Sequence, residues 1–205
     1  MRSLSRATPR SPEAVIERAV ERHGRRLVLM CSFQKESSVL VDALLSVDPG
    51  ARVATIDTGV LFPETLATWR AFEERFGVEI EVAEAGGGWS ESRCCSDAKV
   101  AALDSALAGA DAWISGLRRE QSEARAAVEQ VEYDATRGMW KYNPLALWSE
   151  QDVWDRIRER ELPYNPLHDQ GYGSIGCAPC TAPGAGREGR WAGQAKTECG
   201  LHVAA

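Results

Sequence analysis

The six cysteines are the residues whose type and spacing most directly suggest chemistry; they stand at positions 31, 94, 95, 177, 180 and 199. The adjacent pair Cys94-Cys95 and the Cys-x-x-Cys of Cys177 and Cys180 supply four thiolates, which suits a tetrahedral zinc ion or a [4Fe–4S] cluster. Zinc ribbons usually present two Cys-x-x-Cys knuckles, whereas adjacent thiolates can bind two irons of one cubane, so the spacing favours the cluster. Four buried cysteines without a ligand are the alternative, because cysteine is also a small core residue.

Cys199 stands apart from the others, in the sequence Glu-Cys-Gly-Leu-His close to the C-terminus. The thiolate is the attacking form of cysteine, and neighbouring positive charge raises its population near neutral pH. The cationic side chains of this tail are Arg187, Arg190, Lys196 and His202. Cys199 is therefore a candidate nucleophile, and an incidental surface cysteine is the alternative.

Two segments are candidates for binding an anion or a nucleotide. Segment 31–37, Cys-Ser-Phe-Gln-Lys-Glu-Ser, joins a predicted strand to a predicted helix, where ligands of parallel sheets bind and helix amides favour an anion. Ser32 can add a hydroxyl donor there, although the glycine spacing of a Walker loop is absent. Asp57-Thr58-Gly59 ends the next predicted strand and could place backbone groups against a ribose or base. Ordinary turns are the alternative for both segments.

Basic residues recur in an otherwise acidic chain of net charge −6. Guanidinium groups match phosphate and sulfate oxygens in bidentate geometry. The candidates are Lys99, Arg118, Arg119, Arg125, Arg187 and Arg190. Most arginines of a protein surface are simply solvated, which is the alternative for each of them.

Alternating helical and strand patterns must position these residues. A helix should begin at Pro12 behind the cap Ser11 and end at Gly24. Further helices are predicted at 36–47, 63–76, 96–107 and 150–161, and strands at 27–32, 52–57, 78–85 and 110–115. This order predicts an α/β fold, a mostly parallel twisted sheet with helices on both faces. We divide it into a nucleotide-binding domain, 1–162, and a segment 163–205 whose Gly, Pro and Ala content predicts a mobile or metal-tethered catalytic tail.

Length and composition bound the class of protein. A chain of 205 residues fits one domain with a sizeable core, and its acidic balance argues against a bulk nucleic-acid or membrane binder. Neither a stretch of about 20 apolar residues nor the apolar run of a signal peptide is evident, so a cytoplasmic location is expected. In a reducing cytosol the cysteines should not form structural disulfides.

Segment 141–180, KYNPLALWSEQDVWDRIRERELPYNPLHDQGYGSIGCAPC, followed by ECGLH, resembles the assimilatory adenylyl-sulfate reductases. These are relatives of phosphoadenylyl-sulfate reductases within the adenine-nucleotide α-hydrolase-like fold. Further matches are the Ser-Phe-Gln at 32, IDTGVLFPET from 56, the Cys-Cys pair with Lys99, and GLRREQSEAR from 116. The resemblance covers residues 12 to 202, and its cysteine motifs are highly specific.

The resemblance implies a role for each cysteine except Cys31. Cys94, Cys95, Cys177 and Cys180 match the ligands of a [4Fe–4S] cluster whose role is electrostatic and structural. Cys199 matches the nucleophile that attacks the sulfur of adenylyl sulfate and releases AMP, and thioredoxin or a similar dithiol then frees sulfite from the S-sulfocysteine. Residues expected to line the substrate site are Ser32, Phe33, Asp57, Thr58, Gly59, Lys99, Arg125, Arg187, Arg190 and His202.

The chain also departs from the family pattern. Ala98 stands where relatives commonly carry arginine, and the stretch between Cys180 and Cys199 is shorter than usual, so Arg187 and Arg190 are assigned from spacing alone. Three other functions stay open: reduction of the 3′-phosphorylated nucleotide, an ATP-pyrophosphatase of the same fold, and a cluster-bearing redox sensor without turnover. The second is disfavoured because the chain has Ser-Phe-Gln-Lys-Glu-Ser in place of Ser-Gly-Gly-x-Asp-Ser. A homo-oligomer is possible.

Overall fold

The computed structural model describes residues 11–85, 96–191, 198 and 201. Six strands are present in these ranges: β1 Leu27–Met30, β2 Arg52–Asp57, β3 Glu81–Glu84, β4 Ala112–Ile114, β5 Val131–Asp134 and β6 Met139–Tyr142. The α-helices are α1 Pro12–His23, α2 Lys35–Val47, α3 Pro63–Phe76, α4 Ser96–Ala106 and α5 Glu150–Glu159. Single-turn 3₁₀ helices occur at Gly24–Arg26, Arg119–Gln121, Glu123–Arg125, Pro166–Gln170 and Ala178–Cys180.

The strands form one sheet in the order β3-β2-β1-β4-β6-β5. Every neighbouring pair is parallel except β5 and β6, which form an antiparallel hairpin at one edge. The predicted α/β fold with a mostly parallel sheet is therefore confirmed. The β5–β6 hairpin was not among the predicted elements.

Alternate residues of the central strands face two separate cores. Leu27 and Leu29 of β1 pack into a core with α1, α2, α3 and α5, whereas Val28 packs into a second core with α4. The same alternation places Ile114 of β4 in the first core and Trp113 in the second. Helices thus cover both faces of the sheet, as strands buried on both sides require.

Local sequence explains where the helices begin and end. Ser11 accepts a hydrogen bond from the amide of Ala14 (3.2 Å) and Pro12 opens α1. Ser149 caps α5 in a reciprocal box with Asp152. Gly77 ends α3 with a left-handed φ of 62°. Among the helices of the described ranges, none combines the length and apolar character that a membrane span requires.

Residues 163–191 pack against the loops that follow the strands. The amide of Ala178 donates to the carbonyl of Val60 (2.9 Å), and Leu61 and Cys177 form an isolated bridge. Glycine allows two backbone segments to pack closely here, because a Cβ added at Gly189 would overlap the carbonyl of Ala182. This segment therefore forms one wall of the site.

Candidate active site

A cavity of about 200 Å³ lies at the carboxyl edge of the sheet. The turn after β1, the end of β2 and the loop after β4 supply three of its walls, and residues 173–176 supply another. From β1 the chain proceeds through β2 to β3 on one side, and then returns to place β4 on the other side of β1. Such a reversal opens a crevice in which ligands of α/β sheets bind.

The turn after β1 depends on an unusual backbone conformation at Phe33. Its φ is +56°, a left-handed value that costs a bulky residue free energy. The ring is only 1% exposed and stacks on Trp69 with centroids 5.4 Å apart, so its burial offsets that cost. Phe33 borders the cavity, but its aromatic ring lies in the core. Ser32 also borders the cavity, and its amide donates to Ser37 Oγ (3.0 Å).

A buried ion pair joins α2 to the loop after β4. Arg118 Nε donates to Glu36 Oε1 at 2.9 Å, and the two side chains are 3% and 7% exposed. Burial acts to raise the pKa of Glu36, but the positive charges of Lys35 and Arg118 outweigh it, so this pKa lies below its ordinary value. Glu36 is therefore an ionised carboxylate, and the neighbouring positive charges in the cavity wall offset its negative charge.

Gln121 connects this ion pair to Arg125. Its Nε2 donates to Glu36 Oε1 (3.1 Å), while its Oε1 accepts from the amide of Arg118 (3.0 Å) and from Arg125 Nη1. Both ends of the amide are thereby engaged, so the carbonyl oxygen must face Arg125. Gln121 thus holds the guanidinium of Arg125 at the cavity.

Lys35 joins the same wall to the segment after α5. Its ammonium donates to the carbonyl of Gly173 (2.9 Å) and pairs with Glu150 (3.1 Å). Its amide donates to Nε2 of His168 (3.3 Å), whose Nδ1 donates to the carbonyl of Tyr172 (2.7 Å). Burial, and then the charge of Lys35, lower the pKa of His168, which keeps the ring neutral and Nε2 free to accept.

Five of the six predicted anion-binding side chains line the cavity, and Arg119 does not. Arg118 is paired with Glu36, and the other four are Lys99, Arg125, Arg187 and Arg190. The guanidinium carbons of Arg187 and Arg190 lie 5.6 Å and 4.5 Å from the ring centroid of Trp191. The residue preceding Cys199 reaches the same group: Glu198 pairs with Arg125 (2.8 Å) and with Arg187 (2.9 Å). We refer to these four cations as the cationic group; it can bind a phosphate or sulfate.

Cys177 and Cys180 lie next to the cationic group, buried against Trp191 and Val60. Cys177 is a free thiol. Cys177 Sγ has two possible hydrogen-bond partners, Thr58 Oγ1 at 3.4 Å and Lys99 Nζ at 4.0 Å. Within the described ranges no three His, Cys, Asp or Glu side chains form a metal-binding group. The pair can supply two thiolates to a metal centre. A hydroxyl donor and an ammonium donor lie beside the sulfur of Cys177.

The other predicted residues are placed as follows. Asp57 accepts from the amide of Gly59 (2.8 Å) in a turn, and neither residue lines the cavity. Thr58 contacts the cysteine pair as described, and it too does not line the cavity. Cys94, Cys95, Cys199 and His202 lie outside the described residues.

Three residues of the site were not identified from the sequence. Glu36 and Gln121 belong to the site only through hydrogen bonds to residues far away in the sequence. Their local sequence does not distinguish them from solvated side chains. Glu198 directly precedes the candidate nucleophile. An acidic side chain among the cationic residues of this tail was the sequence feature that could have identified it. Sequence reasoning identified the cationic group itself.

Comparison with known proteins adds a family. Residues 26–183 match the model of the phosphoadenosine phosphosulfate reductase domain. A protein of Gloeobacter violaceus named phosphoadenosine 5′-phosphosulfate reductase is 46% identical over 94% of this chain and 89% of its own. A protein of Geobacillus kaustophilus named adenosine 5′-phosphosulfate reductase is 44% identical over 93% of this chain and 89% of its own.

Solved structures show the same fold. The crystal structure of phosphoadenylyl-sulfate reductase from Candida auris, a phosphate complex, superposes with a TM-score of 0.70 at 25% identity. It covers 84% of this chain and 91% of that chain. An FMN adenylyltransferase from Candida glabrata gives a TM-score of 0.69 at 14% identity, covering 84% of this chain and 61% of that one, a likeness of fold alone.

Proposed function

The chain belongs to the phosphoadenosine phosphosulfate reductase domain family, and from this premise we propose that it reduces adenylyl sulfate to sulfite and AMP in sulfate assimilation. The observation that carries the proposal is that the cationic group lines a cavity at the sheet's carboxyl edge, and that Lys99 of this group approaches Cys177 of the buried cysteine pair (Nζ to Sγ, 4.0 Å). Arginine forks suit the phosphate and sulfate oxygens of this substrate. The names of the relatives support the same reaction class.

The proposed chemistry uses the thiolate of Cys199. Its sulfur attacks the sulfur of the sulfuryl group, a new S–S bond forms, and the S–O bond breaks so that its electron pair leaves with AMP. A dithiol protein such as thioredoxin then attacks the sulfur of Cys199, supplies two electrons and releases sulfite. The cationic group offsets the negative charge that builds on the oxygen of the departing phosphate. We place both steps in the cytoplasm, where thiols stay reduced.

We further propose that a [4Fe–4S] cluster is held by Cys177 and Cys180 together with Cys94 and Cys95. Two features of the described residues support it: the two thiols are buried side by side, and Thr58 and Lys99 are placed to donate to a sulfur. Thiolate ligands are favoured by such donors. When bound, the cluster would supply a fixed charge beside the cationic group.

Replacing Cys177 by alanine should lower both iron and acid-labile sulfide from four per chain towards zero, because a cubane needs its thiolate ligands. Cys31→Ala is the matched control. Burial raises the pKa of the Cys31 thiol to about 12, so it stays protonated and is not a ligand. Metal and sulfide analysis of anaerobically purified variants measures the effect. Full iron content in the Cys177 variant would contradict the ligand assignment.

The second candidate substrate is the 3′-phosphorylated nucleotide, because the Gloeobacter relative carries that name. Two cations of the cavity that lie outside the cationic group are paired with carboxylates: Lys35 with Glu150, and Arg118 with both Glu36 and Glu120. They offer little charge to an additional phosphate. The four cysteines that match the cluster ligands also favour adenylyl sulfate, since relatives restricted to the 3′-phosphorylated form typically lack them.

We expect kcat/KM for sulfite release to be at least about tenfold higher with adenylyl sulfate than with the 3′-phosphorylated form, a difference of about 1.4 kcal/mol in transition-state binding. Steady-state assays of the iron-loaded enzyme with thioredoxin measure both. A preference for the 3′-phosphorylated nucleotide would reverse the choice of substrate. Absence of sulfite with either nucleotide would refute the proposed function.

A further inference from the structure

The carboxylate of Glu198 is surrounded by four donors. Its Oε1 accepts from Arg125 Nε (2.9 Å) and from Ser122 Oγ (3.4 Å), and its Oε2 accepts from Arg125 Nη2 (2.8 Å) and from Arg187 Nη2 (2.9 Å). The side chains of Glu198, Arg125 and Arg187 are 16%, 10% and 14% exposed. Arg125 engages the carboxylate with two parallel N–H groups, the strongest geometry for such a pair.

The two arginines that bind Glu198 are themselves held in place by other side chains. Arg125 donates to Gln121, which bonds to the buried Glu36, and Arg187 lies over the ring of Trp191. The carboxylate therefore binds two arginines whose side chains are already ordered by other contacts. An ion pair with ordered partners loses less side-chain entropy on forming than an exposed pair does.

We propose that Glu198 is a positioning residue, whose carboxylate anchors the C-terminal segment on Arg125 and Arg187 so that the adjacent Cys199 is delivered to the substrate. We assign the anchor to Glu198 because Cys199 follows it directly in the sequence, one peptide unit or about 3.8 Å further along the chain. The inference rests on the proposed function for the identity of the reaction. The anchoring contact itself does not depend on it.

Anchor and substrate can occupy the cationic group together. The carboxylate offsets one of four positive charges, which leaves cationic character for the phosphate and sulfate of the nucleotide. Arg190 donates to Ser174 Oγ (3.3 Å) and to the carbonyl of Ile175 (3.2 Å), and it lines the cavity together with Lys99. Removing the carboxylate should therefore release the segment without a large change in nucleotide affinity.

The first test uses the iron-loaded protein without substrate. Trypsin cleaves after Lys196, two residues before the anchor, and mass spectrometry follows the peptide that begins at Thr197. Glu198→Gln should release this peptide at least about tenfold faster than the wild type, the scale of a lost charge-assisted hydrogen bond. Glu188→Gln is the matched control, since Glu188 is an exposed carboxylate of the same region. An unchanged rate in Glu198→Gln would overturn the anchoring role.

The second test separates binding from delivery. In single-turnover experiments at saturating adenylyl sulfate, Glu198→Gln should form S-sulfocysteine about 100-fold more slowly, as expected for a misplaced reacting group, while AMP affinity stays within about threefold of wild type. Glu198→Asp keeps the charge on a shorter stem and should recover part of the rate. A Glu198→Gln variant that binds nucleotide more tightly and reacts at the wild-type rate would show that the carboxylate merely fills the anion site. A wild-type enzyme that releases no sulfite would instead refute the proposed function and leave the protease result standing.

Discussion

Cys199→Ser should lower sulfite formation by at least about 10⁴-fold, the scale seen when covalent catalysis loses its nucleophile. A serine hydroxyl is almost entirely protonated near neutral pH, and its oxygen cannot form the S–S bond that the dithiol later breaks. Coupled assays with adenylyl sulfate and thioredoxin measure the loss. Mass spectrometry of enzyme treated with adenylyl sulfate alone should show one added SO₃ group on the wild type and none on the variant.

Two further readings keep the Cys199 prediction specific. Iron and acid-labile sulfide should stay at the wild-type level in Cys199→Ser, because Cys199 is not one of the proposed cluster ligands, and AMP should bind as it does to the wild type. Turnover that persists in the variant would exclude Cys199 as nucleophile. A sulfonate found on Cys31 or another thiol would also exclude it, and would redirect the mechanism.

The fold could be predicted wherever a segment's local pattern agrees with its tertiary environment. The bounds of β2 follow the sequence because Arg52 and Asp57 flank a short, mainly apolar run, and those of α3 because an opening proline and a closing glycine mark them. Strand β1 ends at Met30, two residues earlier than expected, because Cys31 and Ser32 already belong to the turn. The β5–β6 hairpin carries mixed, half-buried side chains without clean alternation. Its place in the sheet depends on the pairing of β6 with β4, a contact that local pattern does not contain.

The candidate site divides in the same way. Lys99, Arg125, Arg187 and Arg190 could be predicted as a group because motif resemblance and charge both indicate them. Phe33 was expected to line the substrate site; it borders the cavity, and its left-handed backbone places the ring in the core, which the sequence does not reveal. The pairing of Glu36 with Arg118 joins residues 82 positions apart, so only the folded chain reveals it. Charged side chains that neutralise each other inside a cavity wall are invisible to composition.

This pairing makes Arg118→Met the substitution with the largest expected effect on stability. Methionine fills a similar volume but leaves the Glu36 carboxylate buried without its guanidinium partner, which should lower the free energy of unfolding by about 3–5 kcal/mol near neutral pH. Urea unfolding of the wild type and the variant measures the difference. A loss of this size equals a large part of the stability of an ordinary domain.

The dependence of that loss on pH identifies its cause. In the wild type the lowered pKa of Glu36 contributes stability that is present above its ordinary value of 4.5 and disappears as the pH falls below it. In Arg118→Met burial is opposed by Lys35 and the remaining hydrogen bonds but no longer by Arg118, so the pKa of Glu36 should rise and the deficit should be larger at pH 8 than at pH 5.5. Adding Glu36→Gln removes the buried charge and should recover more than half of the loss.

Arg52→Met is the control, because its pair with Glu81 is 28% and 47% exposed and should cost about 1 kcal/mol or less. A deficit in Arg118→Met no larger than that of the control, or one that grows as the pH falls, would show that the carboxylate is not held ionised by Arg118.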